Sequence, residues 1–251
     1  MPQPADLVHG WVSTDCGRGT IDVIWSCLFN IFICVWTTIH LPVPHYTGQW
    51  PLGLRAKIVR SKIVPALIAL VAPEFLTITA LFELYQAVVT VKNFRDLGGT
   101  RLCLTTGFFY NMGGFCLKSP SGRFCQPTTH NLDQCLVQRS QAVVLKEIGS
   151  VSEDQVNDSA GSDTLTKGIA CVQVIWFVTQ VVSRLCQHDS VTLLEISTTA
   201  YVLCAITSYI AWWKKPQGCT LPIFILCEEG ALPPTSAYMN AKGTWKEFVW
   251  G

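Results

Sequence analysis

Charge is what this sequence has least of. Acidic and basic residues together make up only 14% of its 251 positions, against about 25% in an ordinary soluble domain. The net charge is +1, so no global basic field exists to hold a nucleic acid, and no zinc-finger spacing or basic helix supplies a local one. Twelve cysteines are present, yet none of their spacings is Cys-x-x-Cys, which leaves no metal set to assign. A glycine-rich nucleotide loop, a Ser-His-Asp or Cys-His order set in a motif and an internal repeat are missing as well, and no cofactor is expected. Nor is there a convincing secretory leader. Residues 1–20 are polar, carry Asp6, Asp15 and a single Arg18, and run into an apolar stretch too long for a leader's core.

What fills the chain instead is apolar. Hydrophobic residues make up 49% of it and the mean hydropathy is +0.34. The plainest signature is 165–213, two apolar segments (168–185 and 192–213) around a short polar turn, closed by Lys214-Lys215-Pro216. Each is about the 20 residues that cross a ~30 Å hydrocarbon layer. A further span covers 21–41, with Trp25 and Trp36 near its ends as interface anchors. Thr20 is the expected helix cap, and Asp22 suits the positive end of the dipole. Asn30 lies inside this span and must find a partner on another helix or on backbone. The exit, His40 to His45, is stiffened by Pro42 and Pro44, and its two histidines read as solvated groups rather than metal ligands.

The loop 42–62 carries Arg55, Lys57, Arg60 and Lys62 and no acid. The positive-inside rule makes it cytosolic and 1–20 extracytoplasmic, and the cluster suits anionic lipid headgroups. The next segment, 63–91, is long enough to span but holds Pro65, Pro73, Glu74 and Glu83. An ionised group in mid-bilayer costs about 2.5–3.5 kcal/mol, which roughly balances what the apolar residues return. If the segment spans, Lys92, Arg95, Arg101, Lys214 and Lys215 fall outside, against the charge rule; if it bends back at Pro73-Glu74, all join the cytosolic cluster. The expected fold class is therefore all-α: a helical integral membrane protein with three firm transmembrane helices plus one conditional broken or re-entrant segment.

Between 92 and 167 lies a large loop with interfacial and surface helices. Its aromatic, glycine-rich part, 102–117, is too short to span, and Gly107, Gly113 and Gly114 suggest close backbone packing. Residues 118–135 read as a polar, mobile loop, and 134–148 shows helical apolar spacing. Ser152 to Gln155 has the form of a capping box. Asn157-Asp158-Ser159 is a glycosylation sequon, usable only if the loop is lumenal. The same condition governs disulfides among Cys103, Cys116, Cys125 and Cys135. The tail, 214–251, shows no further span.

Polar residues in the spans supply the candidate site. Gln173, Gln180 and Arg184 lie within about 40° of one another on a helix, and Glu195 opens the next one. Arg184 has two candidate partners, Glu195 and Glu74; otherwise it snorkels to the headgroups while the glutamines bond neighbouring helices. Three function classes stay open, and the enzyme question with them. The favoured one is a non-enzymatic scaffold or sensor in an endomembrane or the plasma membrane. The second is an enzyme on a lipid or isoprenoid-like substrate, using Glu74 as an acid held neutral by burial and Arg184 to bind an anionic head. The third is a transporter or channel subunit, a poor pore unless the chain forms a homo-oligomer.

Several strings carry a resemblance: Gly17-Arg-Gly-Thr-Ile-Asp22, Trp25-Ser-Cys27, Ala72-Pro-Glu-Phe75, Met112-Gly-Gly-Phe115 and Trp212-Trp-Lys-Lys-Pro216. Together they resemble a family of uncharacterised multi-pass membrane proteins widespread in filamentous and mushroom-forming fungi, over roughly residues 10–223. The resemblance implies an integral membrane protein and carries over no catalytic residue. It also implies longer relatives with further apolar segments, and a histidine in many of them where Thr106 stands here.

Overall fold

The computed structural model describes residues 19–44, 46, 54–98, 102–127, 138–159, 163–187, 192–219 and 221–228. The side chains of Arg55, Lys57 and Arg184 lie outside that description. The elements in chain order are α1 (Thr20–Thr38), α2 (Leu54–Val71), α3 (Pro73–Gly98), α4 (Leu104–Asn111), β1 (Phe115–Lys118), β2 (Phe124–Cys125), α5 (Gln138–Ser150), α6 (Glu153–Ser159), α7 (Asp163–Gln187), α8 (Leu193–Ala211) and β3 (Ile223–Leu226).

Among the described residues three helices are long and apolar enough to cross a membrane: Thr20–Thr38, Pro73–Asp96 and Leu193–Ala211. A shorter apolar stretch, Cys171–Ser183, lies in α7. Large apolar side chains stand exposed along them, among them Trp25, Phe32, Ile78, Trp176 and Ile210. Outward apolar faces of this extent need a lipid solvent. The chain is a multi-pass helical membrane protein. The sequence expectation counted 168–185 as firm and 63–91 as conditional, and the second of these forms two helices. Pro73 is the physical reason. It breaks 63–91 after Ala72, so that the second half fuses with residues up to Gly98 into one 26-residue helix. The 168–185 segment lies within the 25-residue α7.

Capping sets the helix ends. Gly19, not Thr20, is the cap of α1, and Asp22 reaches back to accept from the Gly19 N–H at 3.2 Å. At α8 the cap is Thr192, whose hydroxyl accepts from the Glu195 N–H at 3.3 Å while the Glu195 carboxylate accepts from the Thr192 N–H at 2.9 Å. The capping box at Ser152 and Gln155 is present, with bonds of 3.1 and 3.2 Å. Such caps are worth about 0.5–2 kcal/mol each.

Side-chain contacts give the direction of the helices. The Tyr201 hydroxyl donates to the Leu70 carbonyl, Thr77 donates to the Cys204 carbonyl at 3.2 Å, and Glu83 meets Lys215, just past α8. Positions on α3 and α8 thus rise together, and the two run side by side in the same direction. Cys34 clusters with Val202 and Ala205 and the His40 ring packs tilted against Trp212, so α1 runs that way too. By contrast α2 turns back. Its end, Leu70, stands beside the middle of α8, while Lys62 lies over the Trp36 ring near the end of α1.

Beyond the shared C-terminal ends of α1 and α8, the second half of α3 continues into a compact subdomain. Its core holds Phe94, Phe109, Tyr110, Phe115, Leu117 and Ile148, all buried. Gly107 lets α4 lie directly on α3: a Cβ there would sit 2.9 Å from Val91 Cγ2 and 3.1 Å from the Ala87 carbonyl oxygen. A three-stranded sheet in the order β2-β1-β3 completes it, antiparallel between β1 and β2 and parallel between β1 and β3. This sheet adds to the all-helical expectation, and part of the segment read as a mobile loop is its β1–β2 hairpin. On α5 Val144 and Ile148 are buried as the spacing implied, whereas Val143 is exposed.

Candidate functional site

The polar residues singled out in the spans are taken up in several separate contacts. Glu195 is buried and committed to the α8 cap, its Oε2 also accepting from the Thr192 hydroxyl at 3.0 Å. Gln173 donates from Nε2 to Asn30 Oδ1 at 3.2 Å, and Asn30 in turn donates to the Ser26 carbonyl at 2.8 Å. The sequence asked for a partner on another helix or on backbone, and Asn30 has one of each, the second on α7. The buried Oε1 of Gln173 has no partner among the described residues. Gln180 is half-buried. Glu74 is exposed in the first turn of α3, within electrostatic reach of the Tyr201 phenol. For Arg184 only the backbone, in α7, is described.

A tighter polar constellation stands where the C-terminal ends of α1 and α8 meet the middle of α3, and sequence reasoning missed it. Lys215 is 2% exposed. Its ammonium bonds Glu83 Oε2 at 2.5 Å and sits 4.5 Å above the centre of the Trp212 ring. The other neighbour of that indole is His40, 5.0 Å away between ring centres. His40 Nδ1 lies 2.7 Å from the Thr38 carbonyl oxygen, so this nitrogen carries the proton. Gln217 donates to the Thr37 carbonyl at 3.0 Å. Glu83 had counted only as a cost of inserting 63–91, and Lys215 only as a stop signal. Their separation of 132 positions hid the pair, although the Trp-Trp-Lys-Lys-Pro string marked one half of it.

The chain matches a family of unknown function, DUF8562, over residues 3–242. It belongs to that family. No curated protein and no solved structure matches it. The matched span contains every residue of both polar groups.

A second, outer pair supports the first. Thr105 donates to Glu153 Oε1 at 2.7 Å and Lys214 approaches the same oxygen at 3.3 Å. The Thr105 hydrogen bond, then the Lys214 ammonium, holds the Glu153 carboxyl below its ordinary range. In the sheet, burial pushes the Cys116 thiol up to about 12, with Cys227 nearby adding to the shift. That makes Cys116 a packing group, not a nucleophile. Cys125 is held in a disulfide whose other half lies outside the described residues. Among the described residues no group of three or more His, Cys, Asp or Glu is placed to hold a metal. Chemically, the Glu83–Lys215 pair is a lock. A desolvated cation is neutralised by one carboxylate and one aromatic face, and the middle of α3 is tied to the end of α8 by it.

Proposed function

We propose that the protein is a non-enzymatic membrane scaffold or sensor component that presents its α/β subdomain on the cytosolic face, with α2 and α3 as a re-entrant hairpin. The alignment of α3 with α8 carries this reading. Glu83 stands at the end of α8 and Pro73 begins ten residues earlier, about 15 Å deeper, which is half of a ~30 Å hydrocarbon layer. The hairpin tip, where Val71 is 84% exposed, then lies near mid-depth beside Tyr201. In this reading the full crossings are α1, α7 and α8. Lys62, Lys92, Arg95, Lys214 and Lys215 share one end with the subdomain, whereas Arg18 alone precedes α1, in keeping with the positive-inside rule. Lys62 over Trp36, together with Arg55, Lys57 and Arg60 before it, suits anionic headgroups at that surface.

The scaffold reading rests on how the polar groups are used: Asn30 with Gln173 and Thr77 with Ser208 at 3.3 Å are spent on helix contacts. Complementation of a deletion strain tests it. Glu74→Gln and Arg184→Gln are expected to restore the wild-type phenotype. Loss of complementation with normal membrane insertion would instead favour an enzyme acting on a lipid or isoprenoid-like substrate. One observation favours the opposite orientation, since the Cys125 disulfide suits an oxidising compartment. Asn157 is exposed on α6 and separates the two. No glycosidase-sensitive mass shift is expected, and a shift abolished by Asn157→Gln puts the subdomain in the lumen.

A further inference from the structure

We propose that the open edge of β3 is a docking site for an extended, basic peptide segment of a partner protein, which adds to the sheet as a further strand. This deepens the scaffold reading and rests on it for the existence of a partner, though not for the binding geometry.

Backbone direction is the first observation. Among the described residues β3 is the terminal strand in the order β2-β1-β3. The Ile223 and Cys227 N–H groups donate to the Gly114 and Lys118 carbonyls of the β1 segment, at 2.7 and 2.9 Å. Residues 223, 225 and 227 therefore turn their polar backbone groups toward β1. By the alternation of a parallel ladder, the N–H and C=O groups of Phe224 and Leu226 point to the open edge. Such an edge is a template for another strand, and proteins commonly blunt it with lysine or proline. Ile223-Phe224-Ile225-Leu226 contains neither.

The second observation is the space beside that edge. A cleft of about 680 Å³ is lined by all four residues of β3 and, across from them, by α5 and α6. Four consecutive lining residues describe the rim of a strand, because a strand face would contribute alternate ones. The opposite wall carries Glu147 and Asp158. Both are exposed, and neither has a cationic partner among the described residues. Among the described residues no lysine or arginine lines the cleft. Backbone groups on one side and two carboxylates on the other select an extended chain with Lys or Arg side chains directed at the acids. The same carboxylates repel an anionic headgroup, so a lipid is not the occupant. Phe224 and Leu226, 45% and 78% exposed, offer apolar contact to the alternate side chains.

Fluorescence anisotropy on the full chain in detergent micelles tests this, with a fluorescein-labelled Lys-Val-Lys-Val-Lys peptide as probe and Glu-Val-Glu-Val-Glu as its counterpart. The basic peptide is expected to bind at least about tenfold more tightly than the acidic one. Leu226→Pro removes an outward N–H while leaving the β1 ladder bonds in place, and is expected to weaken binding about tenfold. Leu226→Val keeps the N–H and controls for folding, so it should bind as wild type. Glu147→Gln with Asp158→Asn should bring the two peptides to equal affinity. Equal binding of both peptides to the wild-type chain overturns the proposal. So does wild-type affinity in Leu226→Pro, or binding that emerges only when the chain is ended after Glu228, which would make residues 229–251 the occupant. The peptide titration and the complementation test read different residues, so one can fail without the other.

Discussion

Removing the Glu83 carboxylate should destabilise the helix bundle only while Lys215 is still a lysine. Glu83→Gln leaves an ammonium that is 2% exposed facing a neutral amide. Deleting one partner of a buried pair costs about 3–5 kcal/mol. Glu83 itself is 34% exposed, so water reaches the site and the expected cost falls to about 2–3 kcal/mol. Lys215→Met keeps a chain of similar length against the Trp212 ring and gives up the cation–π contact, worth about 0.5–2 kcal/mol. With Met at 215 no charge remains to be stranded, and Glu83→Gln should then cost under about 0.5 kcal/mol. At roughly 2–4 °C per kcal/mol for a chain of this size, Glu83→Gln alone lowers the midpoint by about 5–10 °C, and by no more than about 2 °C in the K215M background. The assay is fluorescence-detected size exclusion of the detergent-solubilised chain after a fixed heating time, an operational midpoint suited to irreversible unfolding. Equal costs of Glu83→Gln in the two backgrounds would refute the lock.

Other sites give sharper or smaller effects. Gly107→Ala forces a Cβ against Val91 and the Ala87 carbonyl oxygen, and the same heating assay should show a loss of about 1–3 kcal/mol. Asn30→Leu and Gln173→Leu should be coupled by about 0.6 kcal/mol in a double-mutant cycle, the usual worth of a hydrogen bond between membrane helices; zero coupling would make the contact incidental. Glu153 has a depressed carboxyl pKa, so its contribution is full above the ordinary carboxylate range and is lost as the pH falls through its lowered value. With Lys214 more than half exposed the effect is at most about 1 kcal/mol. Comparing the acid limb of stability in wild type and Thr105→Val should show the variant losing its share at higher pH. Cys116, buried and with its thiol raised to about 12, should resist maleimide in the folded chain at pH 7 and label once it is denatured.

Which parts of this molecule were legible from its residues follows from where the information lies. Local chemistry reads directly: the cap carboxylate of Asp22, the Ser152–Gln155 box and the break at Pro73 depend on neighbours within four positions, and each is present. The need of Asn30 for a partner was legible, and so was Gln173 as a polar residue on a shared face. That the two would meet was not, since the pairing spans 143 positions. The same distance problem hid Glu83 with Lys215. β3 failed for a different reason. Four apolar residues after Pro222 carry no period of their own, and only their pairing with β1 makes them a strand. At Glu195 the local part was the one not read: its carboxylate also accepts from the N–H and hydroxyl of Thr192 three positions back.

The parallel pairing of β1 with β3 joins residues 115–118 to residues 223–226, and α5, α6, α7 and α8 all lie between them. A ribosome delivers these strands far apart in time. At about 5–20 residues per second, the hundred or so residues between them take roughly 5–20 s to synthesise, and α7 and α8 must be inserted in the bilayer before β3 can return to its place. Through that interval β1 carries one open flank beside the apolar core of Phe109, Phe115 and Leu117. The sheet is therefore a completion check on biogenesis. A chain whose last membrane helix has failed to insert cannot bring Ile223–Leu226 to β1, and it presents to the quality-control machinery an unpaired strand that the finished protein conceals.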